Sequence, residues 1–356
     1  MRWPTSTWRR RAARWSESPS GTVATVEQTG RLEPLMDLRV PIVQAPMAGG
    51  PSTPELAAAV SNAGGLGFVA GGYLPPDELR SQVRRTRELT DRPFGVNLFV
   101  LDARPVDDEA IAAYARELER YDVPLGVPRF DDDWFADKVE LLVAERVPVV
   151  SATFACPPPA TIEALRSAGS EVWVTVTAPD EAVAAREAGA DVLVAQGAEA
   201  GGHRGSWTDA DGPDLPVLEL LAALYEAVDL PLVAAGGIAA ADAVRDVLAA
   251  GAVAAQVGTA FLLSPEAGTS DAHRRAIGHG GETGVTRAFS GRRARAIVNE
   301  FMRAHTTAPS AFPQVLFMTA PLRRSDDPEL RSFYAGMSFG RAEELPAAEI
   351  VARLAP

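Results

Sequence analysis

Between residues 40 and 261, short apolar runs alternate with segments in which apolar residues recur every three or four positions. The runs VPIVQAPM, GLGFVAGG and PFGVNLFV have the length and β-branched content of buried strands. The segment TPELAAAVSNAG places Leu56, Ala59 and Val60 on one helical face, and Gly64 suits the C-terminal cap. The pattern therefore predicts strands and helices in alternation.

Five further strands are predicted at VPVVSATF, EVWVTVT, DVLVAQG, LPLVAAGG and AAQVGTAF. Eight strand–helix units with nearly continuous apolar strands predict an α/β protein, a (β/α)8 TIM barrel with its helices outside. A doubly wound sheet would carry a G-x-G-x-x-G turn after its first strand. The turn in this chain reads QAPMAGG, so the barrel is favoured.

The barrel is expected to span residues 36–265, with a polar insert at 102–146. Helices are predicted within the insert near 107–121 and 132–146. The chain continues after the eighth strand, and we expect residues 266–356 to form a helical C-terminal cap over the barrel mouth.

The first 35 residues differ from the rest, since they carry six arginines against three acids. No apolar stretch of a signal peptide follows the arginines. We expect residues 1–35 to be a disordered extension. An alternative is that the protein starts at Met36.

The charge balance and the single cysteine narrow the range of functions. A formal net charge of −13 disfavours nucleic acids and anionic membranes as partners. With Cys156 alone, neither an intrachain disulfide nor a cysteine-type metal site can form, and no metal is expected. No apolar run reaches the roughly 18–20 residues of a membrane span. These features predict a cytoplasmic protein; they leave its oligomeric state open.

The candidate chemistry lies at the strand ends, because barrel active sites form at the C-terminal ends of the strands. Glycine and amide side chains are concentrated there. The polar and glycine positions at these ends are Gln44, Met47 with the following Gly49 and Gly50, Asn97, Gln196, Gly201, Gly202, His203, Gly236, Gly237, Gln256, Gly258 and Thr259.

Two glycine-containing segments lie at neighbouring strand ends. The segment AAGGI follows the seventh strand, and QVGTAF belongs to the eighth. In barrels a phosphate commonly binds at these two loops, where backbone N–H groups and the Thr259 hydroxyl can reach it. Tight turns are the alternative explanation. The amides of Asn97, Gln196 and Gln256 need partners, which neighbouring backbone or a flat heterocycle can supply. A phosphate site and a site for a flat heterocycle in one cavity together suggest that the ligand is flavin mononucleotide (FMN).

Several segments together closely resemble the class I nitronate monooxygenases, formerly called 2-nitropropane dioxygenases. They are PIVQAPMAGGPSTPELAAAVSNAGGLGFVAGG, GVNLF, AQGAEAGGHRG, LVAAGGI, QVGTAF and TRAFSGRRARAIVNEF. The resemblance runs from about Met36 to the end of the chain. It implies FMN and the oxidation of alkyl nitronates, such as propionate 3-nitronate, by O2. We expect a flavin semiquinone on this route, and a carbonyl product with nitrite.

The same resemblance implies the site residues. His203 takes the position of the active-site histidine, and Met47 lies beside the flavin ring. The implied FMN contacts are Met47, Asn97, Gln196, Gly201, Gly237, Gln256, Val257, Gly258 and Thr259. The segment FACPPP at 154–159 departs from the FGLP-like pattern of the family, and this departure bears on the substrate range.

Two roles remain open for His203. As a general base it would remove the α-proton of a neutral nitroalkane. As an imidazolium or a hydrogen-bond donor it would hold a nitronate anion against the flavin, which the resemblance favours.

Other charged residues receive structural interpretations. We expect Glu199 to accept backbone N–H bonds within its loop, and Arg204 to pair with Glu199 or another nearby acid. Three histidines, His273, His279 and His305, are expected at the surface or in the cap. Solvation or carboxylate pairing is expected for Arg287, Arg292, Arg293 and Arg295.

Three rival functions are considered. An FMN-dependent enoyl-acyl-carrier-protein reductase would use NAD(P)H, and a non-catalytic flavin-binding protein would show no turnover. The barrel of IMP dehydrogenases needs a nucleophilic cysteine beyond the sixth strand, whereas Cys156 follows the fourth.

Overall fold

The computed structural model describes residues 38–356. The extension predicted at residues 1–35 lies outside the described residues. Among the described residues, no helix combines the length and the apolar character that crossing a bilayer requires.

Eight parallel strands form one sheet that confirms the predicted TIM barrel. They are β1 (Ile42–Gln44), β2 (Phe68–Ala70), β3 (Gly95–Phe99), β4 (Val149–Thr153), β5 (Glu171–Val176), β6 (Val192–Gln196), β7 (Leu232–Ala235) and β8 (Ala254–Val257). The strands pair in the order β1-β8-β7-β6-β5-β4-β3-β2, so each strand has its chain neighbours beside it.

The seam between β1 and β2 is narrow, and a side chain completes it. Val43 and Leu66 form one isolated parallel bridge, and Gln44 N–H donates to Leu66 O at 2.9 Å. Beyond the bridge, the Gln44 Oε1 atom accepts from Phe68 N–H at 2.9 Å. Its Nε2 atom donates to Ser52 Oγ at 2.9 Å. Gln44 is fully buried, so its amide substitutes for backbone hydrogen bonds where the strands diverge.

The helices of the described chain pack outside the strands or within the cap. They are α1 (Pro54–Asn62), α2 (Pro76–Leu89), α3 (Asp108–Leu118), α4 (Phe135–Glu145), α5 (Pro159–Ser167), α6 (Pro179–Ala188), α7 (Val217–Ala227), α8 (Ala241–Ala249), α9 (Asp271–His279), α10 (Glu300–Ala304), α11 (Gln314–Met318), α12 (Ala320–Arg323) and α13 (Ala347–Leu354). Proline in the first turn starts α1, α2, α5 and α6, where its missing N–H costs no hydrogen bond.

The predicted insert at 102–146 divides between the two layers. Helix α4 buries Leu141 and Leu142 against the barrel, in one cluster with Val83 and Val96. It is therefore the regular barrel helix between β3 and β4. Helix α3 instead packs its apolar face into the cap. A sequence pattern does not distinguish these two destinations, because both helices are amphipathic.

The predicted boundary at residue 265 also differs from the observed packing. Helix α13 buries Ile350 and Val351 in the cluster that contains Leu56 of α1 and Val244 of α8. It thus supplies the eighth outer helix, and the cap is inserted before it. The sequence pattern does not predict this role of α13, because a barrel helix normally follows its strand directly and here the cap lies between β8 and α13.

The cap contains strands as well as the predicted helices. Strand β9 (Thr283–Thr286) pairs antiparallel with β10 (Ala294–Ile297), and β10 pairs with the short strand Gly202–His203. In this register Ala294 lies opposite His203. The cap is therefore hydrogen-bonded to the loop that follows β6.

The lower end of the barrel is filled with apolar side chains. Phe68 and Trp173 lie inside it with ring centroids 5.7 Å apart, in one cluster with Val149 and Val233. Trp173 Nε1 donates to Glu171 Oε2 at 3.0 Å. Open space consequently remains only toward the C-terminal ends of the strands, beneath the cap.

We expect Gln44→Met to destabilise the protein, because it leaves buried backbone groups at the seam without partners. The free energy of unfolding should fall by about 1–3 kcal/mol, measured as a lower midpoint of urea unfolding. The matched control is Gln82→Met on α2, whose Oε1 has no hydrogen-bond partner. It should change stability by about 0.5 kcal/mol or less. Equal effects of the two substitutions would contradict the assigned role of Gln44.

Candidate active site

A cavity of about 680 Å³ lies at the C-terminal ends of the barrel strands. Its lower wall comes from the barrel and its upper wall from residues 316–338 of the cap. Nine of the sequence-predicted site residues line it together. They are Met47, Asn97, Gln196, Gly201, His203, Gly237, Gln256, Gly258 and Thr259.

The side chain of Val257 does not line the cavity, so its predicted cofactor contact is limited to the backbone and stays a prediction. Val257 is 1% exposed and packs in the apolar layer with Leu56 and Val60 of α1. Neighbouring residues of a strand point to opposite faces. Because Gln256 faces the cavity, Val257 faces the helices.

One end of the cavity is formed by backbone. Gly236 and Gly237 follow β7 with φ values of +115° and +72°, a region that favours glycine. A Cβ atom on Gly201 would lie 2.4 Å from Gly336 N. Gly336 N–H donates to Thr259 Oγ1 at 3.0 Å. The first turn of α8 begins nearby, at Ala241, so N–H groups and a helix N-terminus converge on this end.

Two of the three predicted amides have partners in the protein. Asn97 Nδ2 donates to Ser151 Oγ at 2.9 Å and to Thr153 Oγ1 at 3.0 Å. Gln196 Nε2 donates to His203 O at 3.1 Å, and its Oε1 accepts from Gly205 N–H at 2.7 Å. Gln196 therefore also braces the histidine loop through neighbouring backbone.

The side chain of Gln256 is different. It lines the cavity and forms no hydrogen bond with any residue of the described chain. An amide at a strand end without a partner leaves a donor and an acceptor for a ligand.

His203 lines the cavity within an aromatic enclosure. Its ring centroid is 5.9 Å from that of Phe154, 5.4 Å from that of Phe312 and 5.2 Å from that of Tyr334. Its Nε2 atom lies 2.8 Å from Ser290 Oγ. The Nδ1 atom has no hydrogen-bond partner among residues 38–356.

The pKa of His203 is lowered to about 3, mainly by burial and further by the charges of Arg292 and Arg323. The ring is therefore neutral near pH 7. Of the two charge states considered from the sequence, the imidazolium is disfavoured, because burial and two nearby cations both oppose protonation.

The cavity is lined by cations and by no anion. Arg323, Arg324 and Arg331 line it, and within residues 38–356 no aspartate or glutamate does. Arg323 donates to Leu316 O at 2.7 Å and to Thr319 Oγ1 at 3.2 Å. It forms no ion pair with a described carboxylate. An electropositive cavity in a chain of net charge −13 is suited to anionic ligands.

The four cap arginines discussed above divide into two pairs. Arg287 binds Asp209 at 2.7 Å and Arg293 pairs with Asp214, as the carboxylate-paired interpretation predicts. Arg292 and Arg295 instead donate to backbone carbonyl oxygens.

Arg292 is buried beneath the aromatic enclosure. Its Cζ atom lies 4.3 Å from the centroid of the Phe154 ring, and its Nε atom donates to Arg204 O at 3.2 Å. Burial lowers the pKa of Arg292 to about 10, so it remains charged beside His203. This position differs from the solvated or carboxylate-paired one expected from the sequence.

The other charged residues mostly follow the expectations. Glu199 accepts from Val217 N–H at 3.1 Å and so secures its loop. Arg204 pairs with Asp214 at 3.1 Å rather than with Glu199.

The remaining histidines occupy three different environments. His279 is exposed, whereas His305 is buried in the cap with Nε2 2.8 Å from the Tyr121 hydroxyl. His273, at the start of α9, lines the cavity, a position that the sequence did not indicate. The sequence around His273 does not predict that it lines the cavity, because this position depends on how α9 packs over the barrel mouth.

In the FACPPP segment, Phe154 has φ +82° and its ring faces the cavity. Cys156 is half-buried and does not line the cavity, and burial raises its pKa to about 11. Sequence reasoning missed Tyr73, Arg323 and Tyr334, which also line the cavity. The position of Tyr73 could have been inferred from the GGY sequence at the C-terminal end of β2. No comparable sequence signal marks Arg323 and Tyr334 of the cap.

Comparisons with known proteins agree with this geometry. The family model described as nitronate monooxygenase matches residues 33–356. A nitronate monooxygenase from Pseudomonas aeruginosa is 38% identical over 346 residues, covering 92% of this chain and 98% of that protein. A probable nitronate monooxygenase from Staphylococcus saprophyticus is 38% identical over 283 residues, covering 76% of this chain and 79% of that protein.

Solved structures show the same likeness. A nitroalkane oxidase from Streptomyces ansochromogenes has a TM-score of 0.86 and 46% identity, covering 89% of this chain and 95% of its own. FabK from Thermotoga maritima has a TM-score of 0.72 and 30% identity, covering 90% and 92% respectively. With the fold, the cavity and a family model that matches nearly the whole described chain, this chain belongs to the nitronate monooxygenase family.

Proposed function

We propose that this protein binds FMN in the cavity and oxidises an alkyl nitronate, such as propionate 3-nitronate, with O2 to a carbonyl product and nitrite. The observation that carries the proposal is the charge of the cavity. Three arginines line it, and no carboxylate of the described chain does. Both the FMN phosphate and a nitronate are anions.

The residues at the glycine end fit a phosphate, and those along the wall fit a flavin ring. The backbone at Gly236 and Gly237 leaves no room for side chains, since a Cβ on Gly236 would lie 3.1 Å from Ala200 N. Gln256 offers an amide without a partner, and Met47 offers an apolar surface. The cavity volume is in the range of roughly 300–1,000 Å³ typical of small-molecule sites. When bound, FMN supplies the electron transfer between substrate and O2.

In this proposal His203 acts as a neutral hydrogen-bond donor to the nitronate. The Ser290 hydroxyl oxygen lies 2.8 Å from Nε2. In the proposed tautomer this hydroxyl donates to Nε2, and the ring proton is on Nδ1. The competing acceptor for this hydroxyl, Arg292 O, is farther away at 3.2 Å. A fixed tautomer presents one N–H to an oxygen of the substrate.

The cations near His203 compensate the charge of the substrate. Arg292 and Arg323 lower the pKa of His203, which means that their positive charges act at the position of its ring. The same charges stabilise an anion beside that ring. The rings of Phe154, Phe312 and Tyr334 exclude water and so strengthen these electrostatic interactions.

A second candidate is oxidation of a neutral nitroalkane, with His203 removing the α-proton. It is favoured by the 46% identity with a protein named nitroalkane oxidase, and by the neutral state of His203. Nitroalkane and pre-formed nitronate, supplied separately, distinguish the two. Rapid bleaching of the flavin by NADH or NADPH without oxygen would instead support a reductase, and bound flavin without any turnover would support a carrier.

We expect Gly237→Val to weaken FMN binding by about tenfold to a hundredfold, because φ +72° strains a β-branched residue by about 1–3 kcal/mol. The measurement is the flavin absorbance retained by the purified protein, followed by FMN titration of the apoprotein. Gly340→Ala is the control, since nothing lies within 4 Å of its added Cβ. Unchanged FMN affinity in Gly237→Val would contradict the phosphate site.

We expect His203→Asn to lower kcat/KM for a pre-formed nitronate by about 10²–10³-fold, as when one donor to a developing or bound anion is removed. Oxygen uptake with flavin-loaded protein measures it. His279→Asn, at an exposed position, should leave the rate unchanged. Equal rates in wild type and His203→Asn would remove His203 from the mechanism.

We expect kcat/KM for a pre-formed nitronate to show no titration of a histidine between about pH 5 and pH 9. With a pKa of about 3, His203 is neutral across this whole range and charges only below it. The profile is measured by oxygen uptake and corrected for the titration of the substrate. An activity loss that follows deprotonation near pH 6.5 would restore the imidazolium role.

A further inference from the structure

Tyr73 lines the cavity immediately after β2, with a backbone conformation that is unusual for its residue type. Its φ is +68°, in the left-handed region that bulky side chains rarely adopt. A Cβ atom on the preceding Gly72 would lie 2.3 Å from Phe99 Cε2. The turn that carries Tyr73 is therefore strained and closely packed, and other groups must hold it.

A buried ion pair holds this turn on both sides. Lys138 Nζ donates to Gly71 O at 2.8 Å and lies 2.7 Å from Asp133 Oδ2. Asp133 Oδ1 accepts from Tyr73 N–H at 2.9 Å. The side chain of Lys138 is 1% exposed. One ion pair thus binds the carbonyl group of Gly71, two residues before Tyr73, and the amide of Tyr73 itself.

Such a pair is costly to bury. Burial is the main cause that lowers the pKa of Lys138 and raises the pKa of Asp133 to about 6. A buried ion pair often gives no net stability over apolar residues of similar volume, but it specifies a unique geometry. Here that geometry is the position of Tyr73.

Three successive ring contacts connect Tyr73 to His203 along the cavity wall. The Tyr73 ring lies edge-on to Phe99 at 5.2 Å, Phe99 lies 4.7 Å from Phe154, and Phe154 lies 5.9 Å from His203. The Tyr73 hydroxyl has no hydrogen-bond partner among the described residues. Tyr73 is 36% exposed, and its hydroxyl keeps its proton at neutral pH, because the ordinary pKa of a tyrosine is about 10. Arg323 and Tyr334 are among the groups that act on it electrostatically.

We propose that the Tyr73 hydroxyl donates a hydrogen bond to the anionic substrate, and that Lys138 and Asp133 are positioning residues that hold Tyr73 for this contact. The proposal rests on the proposed oxidation of a nitronate and adds a substrate-contacting residue to it. Tyr73 and His203 would then approach the substrate from the barrel and from the loop after β6.

The first test is Tyr73→Phe in the flavin-loaded, full-length protein. We expect KM for the nitronate to rise about tenfold or more, the effect of losing a hydrogen bond to a charged group. FMN content and the unfolding temperature should stay as in wild type. The control is Tyr225→Phe, outside the cavity, which should leave KM unchanged. A KM within twofold of wild type in Tyr73→Phe would overturn the proposal.

The second test asks whether Lys138 acts through Tyr73. Lys138→Met should raise KM about as much as Tyr73→Phe, and the double variant should show no further increase. Effects that multiply in the double variant would overturn the positioning role. If Lys138→Met does not fold, Asp133→Asn replaces it in the same cycle, since it retains an oxygen for Tyr73 N–H. The unfolding temperature of each variant separates positioning from stability.

A third measurement separates this inference from the proposed function. Nitrate is a planar anion with the shape of a nitro group, and its Kd is read from the flavin spectrum. Tyr73→Phe should weaken nitrate binding about tenfold, and an unchanged Kd would overturn the contact. Absence of nitronate turnover in the wild type, with nitrate binding still dependent on Tyr73, would refute the proposed reaction and leave the anion contact standing.

Discussion

Closure of the parallel barrel is the constraint on which the rest of the structure depends. In a closed parallel barrel each strand is paired on both sides and buried on both faces, because its backbone groups have no water to bind. The seam between β1 and β2 has a single backbone bridge, and the Gln44 amide completes it. Once the barrel is closed and its lower end is filled by Phe68 and Trp173, the loops after the strands meet around one cavity.

The cap gives this cavity its positive charge. Strand β10 pairs with the loop after β6, so the residues that follow β10 in the chain are brought over the barrel mouth. These residues contribute Arg323 and Tyr334, and the barrel contributes glycines and amides. The absence of carboxylates from the described lining leaves the cations uncompensated. The cavity is therefore positively charged although the protein as a whole is negatively charged. Burial, together with the charges of Arg292 and Arg323, keeps His203 neutral within it.

Local pattern predicted the parts of the site that the barrel topology dictates. Asn97, Gln196, Gln256 and His203 all face the cavity because barrel loops converge on one end. The side chain of Val257 faces the helices although it belongs to the same motif as Gln256, because alternate strand residues face opposite sides. Helix α13 belongs to the outer ring although the whole cap separates it from β8. Contacts between residues far apart in the chain have no periodic signal.

The amino-acid sequence by itself determined the barrel, the glycine loops at its C-terminal end and the place of His203, since hydrophobic period and turn chemistry are local properties. Only the tertiary structure decided the charge state of His203, because burial and cations from distant segments set its pKa. It also decided that Tyr73 enters the site. The ion pair of Lys138 with Asp133 that holds Tyr73 forms some 60 residues further along the chain, where α4 begins.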